Sequence, residues 1–293
     1  MKILITGASG QIGKHLISQF ANTGHNILAL DRQQLDITDF NKTVHIFNTY
    51  QPELTINLAA YTAVDLAEEN SEHAFLVNQQ GAENISKAAA GIDIPIIHLS
   101  TDYVFSGTKS APYTEDDVPD PINMYGKSKL AGELAVKKSN PRHLILRTAW
   151  VFSNEPKNFL TTMLRLAETQ KTISIVDDQT GGPTYANDIA RTLAILANQI
   201  QGFTASDWGT YHYAGMPYTT WFEFAQAIFQ LAPQRDGFEP TQLIRIKSSQ
   251  YKTLAKRPRN SQLNTQKITD RFAIPPANWH LALKELFTKP DAA

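Results

Sequence analysis

The sequence predicts an α/β protein: a doubly wound parallel sheet with a smaller, partly interleaved α/β region attached. Three observations carry this. Short apolar runs alternate with helical patterns through the first half of the chain, a glycine-rich loop follows the first run, and the alternation loosens after about residue 150. Strands joined through helices require right-handed crossovers, which leave a parallel sheet covered on both faces. The 293 residues suit one large or two modest domains of roughly 100–200 residues each. With 42% hydrophobic and 19% charged residues, the composition is that of an ordinary globular chain. Cysteine is absent, which excludes disulfides, thiolate nucleophiles, zinc fingers and iron–sulfur clusters.

Taken in order, Lys2–Thr6 reads as a buried strand. Ile12, Leu16, Ile17 and Phe20 then share one face of a helix over Gln11–Asn22. Asn26–Leu30 is a second strand, and Thr38–Tyr50 a second helix with Thr38 as its expected N-cap. Leu54–Leu58 is a third strand, followed by one long helix, Asn70–Ala89, capped by Ser71. Pro95–Ser100 and His143–Arg147 are the fourth and fifth strands, with a helix over Met124–Lys138 between them. Beyond, helices are expected over Asn158–Thr169, Tyr185–Gln199, Thr219–Leu231 and Asn278–Phe287, with a short strand at Thr210–Tyr213 and a frayed tail. No run of 18 apolar residues is present, so no membrane span is expected. The apolar stretch after Met1-Lys2 is too short for a secretory signal, so a cytoplasmic protein is expected.

The first strand runs into Gly7-Ala8-Ser9-Gly10-Gln11-Ile12-Gly13. Between strand and helix, such glycines allow a tight turn, close approach to a pyrophosphate and close helix packing. The helix start adds free N–H groups and its dipole. The loop therefore reads as a dinucleotide site on a Rossmann-type sheet. A triphosphate loop ending at Gly13-Lys14 would need glycine at 8 and Ser or Thr at 15, where Ala8 and His15 stand. Asp31 closes the second strand, placed to accept the adenosine ribose hydroxyls and favour NAD. Arg32 either meets the 2′-phosphate of NADP or is a solvated charge. Asp36 and Ile37 border the adenine, and Ala59, Ala60 and Tyr61 follow the third strand where the cofactor lies close.

Tyr125 and Lys129 stand at i and i+4 on one helical face. An ammonium beside a phenol favours the phenolate and lowers its pKa. Thr101 follows the fourth strand at the sheet edge where ligands sit, placed to hydrogen-bond a substrate carbonyl. Proton donor, tuner and carbonyl clamp, with a nicotinamide hydride, reduce a ketone.

With these residues the chain resembles the extended short-chain dehydrogenase/reductase superfamily, and within it the dTDP-4-dehydrorhamnose reductases. The second resemblance rests on residues 98–107 (HLSTDYVFSG), 123–133 (NMYGKSKLAGE), 146–152 (LRTAWVF), 178–184 (DQTGGPT) and 257–264 (RPRNSQLN), which together span nearly the whole chain. It implies reduction of the 4-keto group of dTDP-4-dehydro-L-rhamnose with NADPH or NADH. Tyr125 would donate the proton, Lys129 hold the nicotinamide ribose, and Thr101, Asp102, Tyr103 and Trp150 line the sugar pocket. Core packing is the alternative for Trp150. The residue 179–184 loop falls on the substrate side, and Asp65, Glu68 and Glu69 lie near a sugar-facing loop, mostly as a solvated helix end. The expected domains are 1–149 plus about 184–214 for the dinucleotide, and about 150–183 plus 215–293 for the sugar. The resemblance allows magnesium at an acidic dimer contact, but His15 and Asn187 stand where acids would be, and no metal site follows from spacing. Monomer and homodimer both remain open.

Net charge is −1, yet residues 245–271 hold eight cations against the single acid Asp270, leaving +7 there and −8 elsewhere. Arginine grips phosphate oxygens bidentately. Arg257 and Arg259 are therefore expected to hold the substrate diphosphate. No motif for nucleic-acid contact accompanies the patch, so that partner is not expected. The competing readings are a 4-ketoreductase of different sugar stereochemistry and a silent NAD-binding regulatory subunit, the latter disfavoured because Tyr125 and Lys129 are both present.

Overall fold

The computed structural model of the protein describes residues 1–232 and 242–288. In chain order the elements are β1 (Lys2–Thr6), α1 (Gln11–Phe20), β2 (Asn26–Leu30), α2 (Phe40–Tyr50), β3 (Leu54–Asn57), α3 (Leu66–Glu69), α4 (Ser71–Phe75), a π-helical turn (Leu76–Gly81), α5 (Ala82–Gly91), β4 (Ile96–Thr101), α6 (Met124–Ser139) and β5 (His143–Thr148). There follow β6 (Val151–Phe152), α7 (Phe159–Ala167), β7 (Thr172–Val176), β8 (Thr180–Gly181), β9 (Thr184–Tyr185), α8 (Ala186–Gln199), β10 (Gly209–His212), β11 (Gly215–Met216), β12 (Thr219–Thr220), α9 (Trp221–Leu231), β13 (Gln242–Ile246), α10 (Gln266–Phe272), β14 (Ala277–Asn278) and α11 (Trp279–Thr288). The predicted frayed tail beyond α11 lies outside the described residues.

Six strands form one parallel sheet in the order β2-β1-β3-β4-β5-β10. The chain moves outward from β1 to β2, then returns to the other side of β1 as β3, so the order reverses between β1 and β3. A crevice opens at the carboxyl ends of strands at such a reversal. Alternate residues feed opposite faces. Ile3 and Ile5 of β1 join Ile12 and Leu16 of α1 and Leu193 of α8 on one side. Leu4 joins Phe47 of α2, Ile85 of α5 and Val136 of α6 on the other. Each fully buried aliphatic side chain contributes about 1.5–3 kcal/mol.

A second core gathers Phe152, Leu160, Met163, Ile173, Phe224 and Leu283 from the later segments. There β7, the short strand expected before the 179–184 loop, pairs in parallel with β13, which the loosened sequence pattern did not disclose. Ile268 and Phe272 of α10, with Ala277 of β14, return to the core of the six-stranded sheet.

Two helix starts differ from expectation. Asp39, not Thr38, caps α2, its carboxylate accepting from the Lys42 N–H at 2.9 Å, while Thr38 turns back to bond Asp36. The expected single helix over 70–89 is broken into α4, the π turn and α5, and Ser71 is its first helical residue rather than a cap. The cause is tertiary. Gly132 of α6 lies so close that a Cβ there would collide with the Asn78 carbonyl, and one extra residue in the turn accommodates the approach.

Candidate active site

At the reversal, Gly7 takes a left-handed conformation (φ +72°), and a Cβ on it would lie 2.6 Å from the Ala59 amide nitrogen. A Cβ on Gly13 would lie 2.5 Å from the Gly7 carbonyl oxygen, so α1 can pack this closely only with glycine there. Gly10 is the N-cap of α1 and offers no side chain, which leaves the first N–H groups of the helix facing the groove. The groove has a volume of about 790 Å³. Gly7, Gly10, Gln11, Ile12 and Gly13 form its floor, and Arg32, Asp36 and Ile37 one end. Ala59, Ala60 and Tyr61 line its wall. Asp31 stands apart: its carboxylate accepts from the Gln33 and Gln34 N–H groups at 2.9 and 3.0 Å and closes its own turn. Asn78, in the π turn, clamps the wall by accepting from Tyr61 N–H at 2.8 Å and donating to Tyr61 O at 3.0 Å. Sequence periodicity gave no signal for this residue.

Thr101, Tyr125 and Lys129 come together at the end of β4. Asn123 caps α6, accepting from Gly126 N–H at 2.7 Å, and Glu68 accepts from Met124 N–H at 2.8 Å, so Glu68 is a helix support rather than a solvated end. Two turns of α6 then present Tyr125 and Lys129 to the groove together with Thr101. Thr101 hydrogen-bonds Tyr125 and donates to Asp102 Oδ1 at 2.8 Å. Tyr103 packs edge-on to Tyr125 with ring centres 5.8 Å apart.

The electrostatics correct the expected lowering of the tyrosine. Burial pushes the Tyr125 phenol up and the Asp102 charge adds to this, while Thr101 opposes it. The Lys129 ammonium donates to Leu99 O at 2.8 Å. Its own pKa is drawn down to about 8 by burial, against the nearby Glu133 carboxylate. Tyr125 is therefore a protonated phenol at neutral pH, the form that a ketone reduction consumes. Asp102 is buried, and desolvation raises its carboxyl to about 7.

A second cavity, about 1320 Å³, adjoins the groove, and Val64, Tyr103, Lys157, Asn158 and Trp221 line both. Trp150, at φ +46°, stacks on Trp221 with ring centres 3.5 Å apart and planes 6° from parallel. Trp150 donates to Ser261 Oγ at 3.0 Å and Trp221 to Gln179 Oε1 at 3.2 Å. Trp221 was read from sequence only as part of a helix; the Thr220/Glu223 capping box that starts α9 is the signal that fixes its place. Arg257 lines the second cavity and pairs with Asp65 at 2.8 Å. Arg259 is exposed and lines neither cavity.

Among the described residues no group of three His, Asp or Glu side chains could hold a metal ion. His15 packs edge-on to Tyr185 and Asn187 accepts from Gln19 at 2.8 Å, so these two positions supply no acidic donors for the magnesium allowed by resemblance. No helix among the described residues is long and apolar enough to cross a membrane.

The family model for the RmlD substrate binding domain matches residues 1–291. A dTDP-4-dehydrorhamnose reductase of Aggregatibacter actinomycetemcomitans is 42% identical over 287 residues, covering 97% of this chain and 98% of its own. The crystal structure of a dTDP-4-dehydrorhamnose reductase from Clostridium acetobutylicum superposes with a TM-score of 0.91 at 35% identity, covering 98% of each chain. That of the Bacillus anthracis dTDP-4-dehydrorhamnose reductase, in complex with NADP, gives 0.89 at 33% identity over 98% of each.

Proposed function

The chain belongs to the dTDP-4-dehydrorhamnose reductase family, and from that premise we propose that it reduces the 4-keto group of dTDP-4-dehydro-L-rhamnose to dTDP-L-rhamnose with NADPH or NADH. One observation carries the reading: Thr101, Tyr125 and Lys129 meet at the carboxyl edge of β4, beside the wall shared by the two cavities. The groove over α1 fits the dinucleotide, because Gly10 leaves its helix N–H groups facing a pyrophosphate. The larger cavity takes the dTDP-sugar.

In this reading Tyr125 gives its phenolic proton to the keto oxygen while Thr101 holds that oxygen in place. A reduced nicotinamide held in the groove would supply the hydride for C4. The buried Lys129 charge stabilises the tyrosinate that remains. Asp102 fixes a sugar hydroxyl, and Tyr103 with the Trp150–Trp221 stack presents aromatic surface to the sugar. Arg257 holds the diphosphate. Arg32 lines the groove whereas Asp31 is occupied by its own turn, which supports use of NADPH. Residues 1–149 plus about 184–214 form the cofactor domain, and about 150–183 plus 215–293 the sugar domain. The separate core around Phe152, Phe224 and Leu283 supports this division, except over 266–277, where Ile268, Phe272 and Ala277 pack into the core of the six-stranded sheet. Dependence on reduced nicotinamide suits a cytoplasmic site.

The test is to generate dTDP-4-dehydro-L-rhamnose in situ, follow oxidation of NADPH and NADH, and identify the product sugar. Tyr125→Phe is expected to lower kcat at least about 10³-fold while NADPH affinity stays within about twofold. No oxidation of either cofactor by the parent protein would overturn the reading.

A further inference from the structure

Beneath the reacting groups lies a buried ion pair that the mechanism does not use. Glu133 on α6 and Arg147 on β5 are 0% and 2% exposed. The arginine fork donates from Nε to Glu133 Oε1 at 2.8 Å and from Nη2 to Oε2 at 2.7 Å. Ser100, the residue before Thr101, donates to Oε1 at 2.6 Å. The remaining Nη1 faces His212 Nε2 at 3.4 Å. His212 Nδ1 lies 3.1 Å from the Tyr113 carbonyl, which only accepts, so Nδ1 carries the proton and Nε2 is free to accept. The Phe105 ring lies 5.0 Å from the guanidinium.

Tyr125, Lys129 and Glu133 are successive turns of one face of α6, and each is tied to β4: Tyr125 at Thr101, Lys129 at Leu99 O, Glu133 at Ser100. An apolar pair of similar volume would hold the helix with equal or better stability, because desolvating two charges is costly. It would not fix the helix along its axis. A bidentate fork does, and a displacement of about 1 Å at reacting atoms can cost about 10²-fold in rate. We infer that Glu133 and Arg147 are positioning residues that set the height of Tyr125 and Lys129 over the edge of β4. The inference rests on the reading of Tyr125 as proton donor.

The decisive variant is the double substitution Glu133→Leu/Arg147→Met, which removes both charges together. The expected result is thermal stability at or above that of the parent, NADPH affinity within about twofold, and kcat lower by about tenfold to a hundredfold. A purely structural pair predicts that kcat recovers with stability, and a double variant with parental kcat overturns the inference. Glu133→Gln is measured beside it. The charged and titratable groups acting on Lys129 are Glu133 on α6 and His98 on β4, while Tyr125 and Asp102 line the same groove. Burial keeps His98 neutral. Loss of the Glu133 charge therefore leaves Lys129 easier to deprotonate, and the alkaline limb of the kcat profile moves to lower pH. Should the double variant not fold, this shift decides: an unmoved profile with parental kcat overturns the inference. Tyr125→Phe, run in parallel, separates the two claims. An active Tyr125→Phe removes the donor reading, whereas an inactive one beside parental Glu133 and Arg147 variants removes only the positioning role.

Discussion

Asp102 shows how much one buried side chain can report. Its Oδ1 takes the Thr101 hydroxyl, its Oδ2 has no hydrogen-bond partner among the described residues, and desolvation lifts its carboxyl from 3.8 to about 7. Between those values the native protein holds a proton that the unfolded chain gives up, so stability falls as pH rises through this window. Asp102→Asn removes that dependence. It is expected to exceed the parent's stability by up to about 4 kcal/mol near pH 8 and to match it near pH 4, read by thermal denaturation at both. A pH-independent difference would contradict the assignment. Asp31 and Arg32 make a second residue-scale case. Sequence order offered Asp31 to the ribose hydroxyls and Arg32 to a 2′-phosphate, but the backbone N–H groups of residues 33 and 34 already hold Asp31 Oδ1. Arg32→Ala should raise KM for NADPH about tenfold and leave NADH nearly unchanged; equal effects on both cofactors would return Arg32 to the role of a surface charge.

Elements of the sheet were legible because their signal is local. The short continuous apolar run of β1 and the three-four spacing in α1 mark a buried strand and a one-faced helix before any tertiary contact exists. The break between α4 and α5 was not legible, because its cause lies some 50 residues away. It depends on Gly132 meeting Asn78 across the interface of α6 with the π turn. Gly132→Ala should force these apart and cost about 2 kcal/mol, measured as a lower urea midpoint with an unchanged m-value. The same displacement would loosen the Asn78 hold on Tyr61, so KM for the cofactor should rise as well. An alanine variant with the parental midpoint would show that the turn relaxes freely. Helix caps were legible only to within a residue: Asp39 and Thr38 are both good caps, and the choice went to Asp39 once Thr38 bonded back to Asp36.

For the whole molecule, the charge split along the chain is partly offset in space. Arg245 pairs with Asp177, Arg257 with Asp65 and Arg271 with Asp207, all acids from outside the basic stretch. Lys267 donates to Thr210 O at 2.8 Å. Sequence shows the accumulation of charge but not its partners, which is why Arg257 and Arg259 looked equivalent. Only Arg257 lines the larger cavity. Arg257→Ala should raise KM for the dTDP-sugar about tenfold and spare NADPH, while Arg259→Ala should change neither by more than about twofold. Equal effects of the two would make the patch a diffuse attractant rather than a grip. The groove over α1 was readable for a related reason: its glycines are demanded by backbone geometry within one turn. The Trp150–Trp221 stack joins residues 71 positions apart and left no such trace.

The return of α10 to the first core has a consequence for redesign. Ile268, Phe272 and Ala277 pack into the core of the six-stranded sheet, Phe272 against Tyr211 of β10, although they follow most of the second-core residues in the chain. The two halves are therefore not interchangeable cassettes. A chimera that takes its sugar specificity from a relative must transplant two separate stretches and keep the host's own 266–277. A single C-terminal crossover would strip the dinucleotide half of part of its interior and yield a defective host rather than a new specificity.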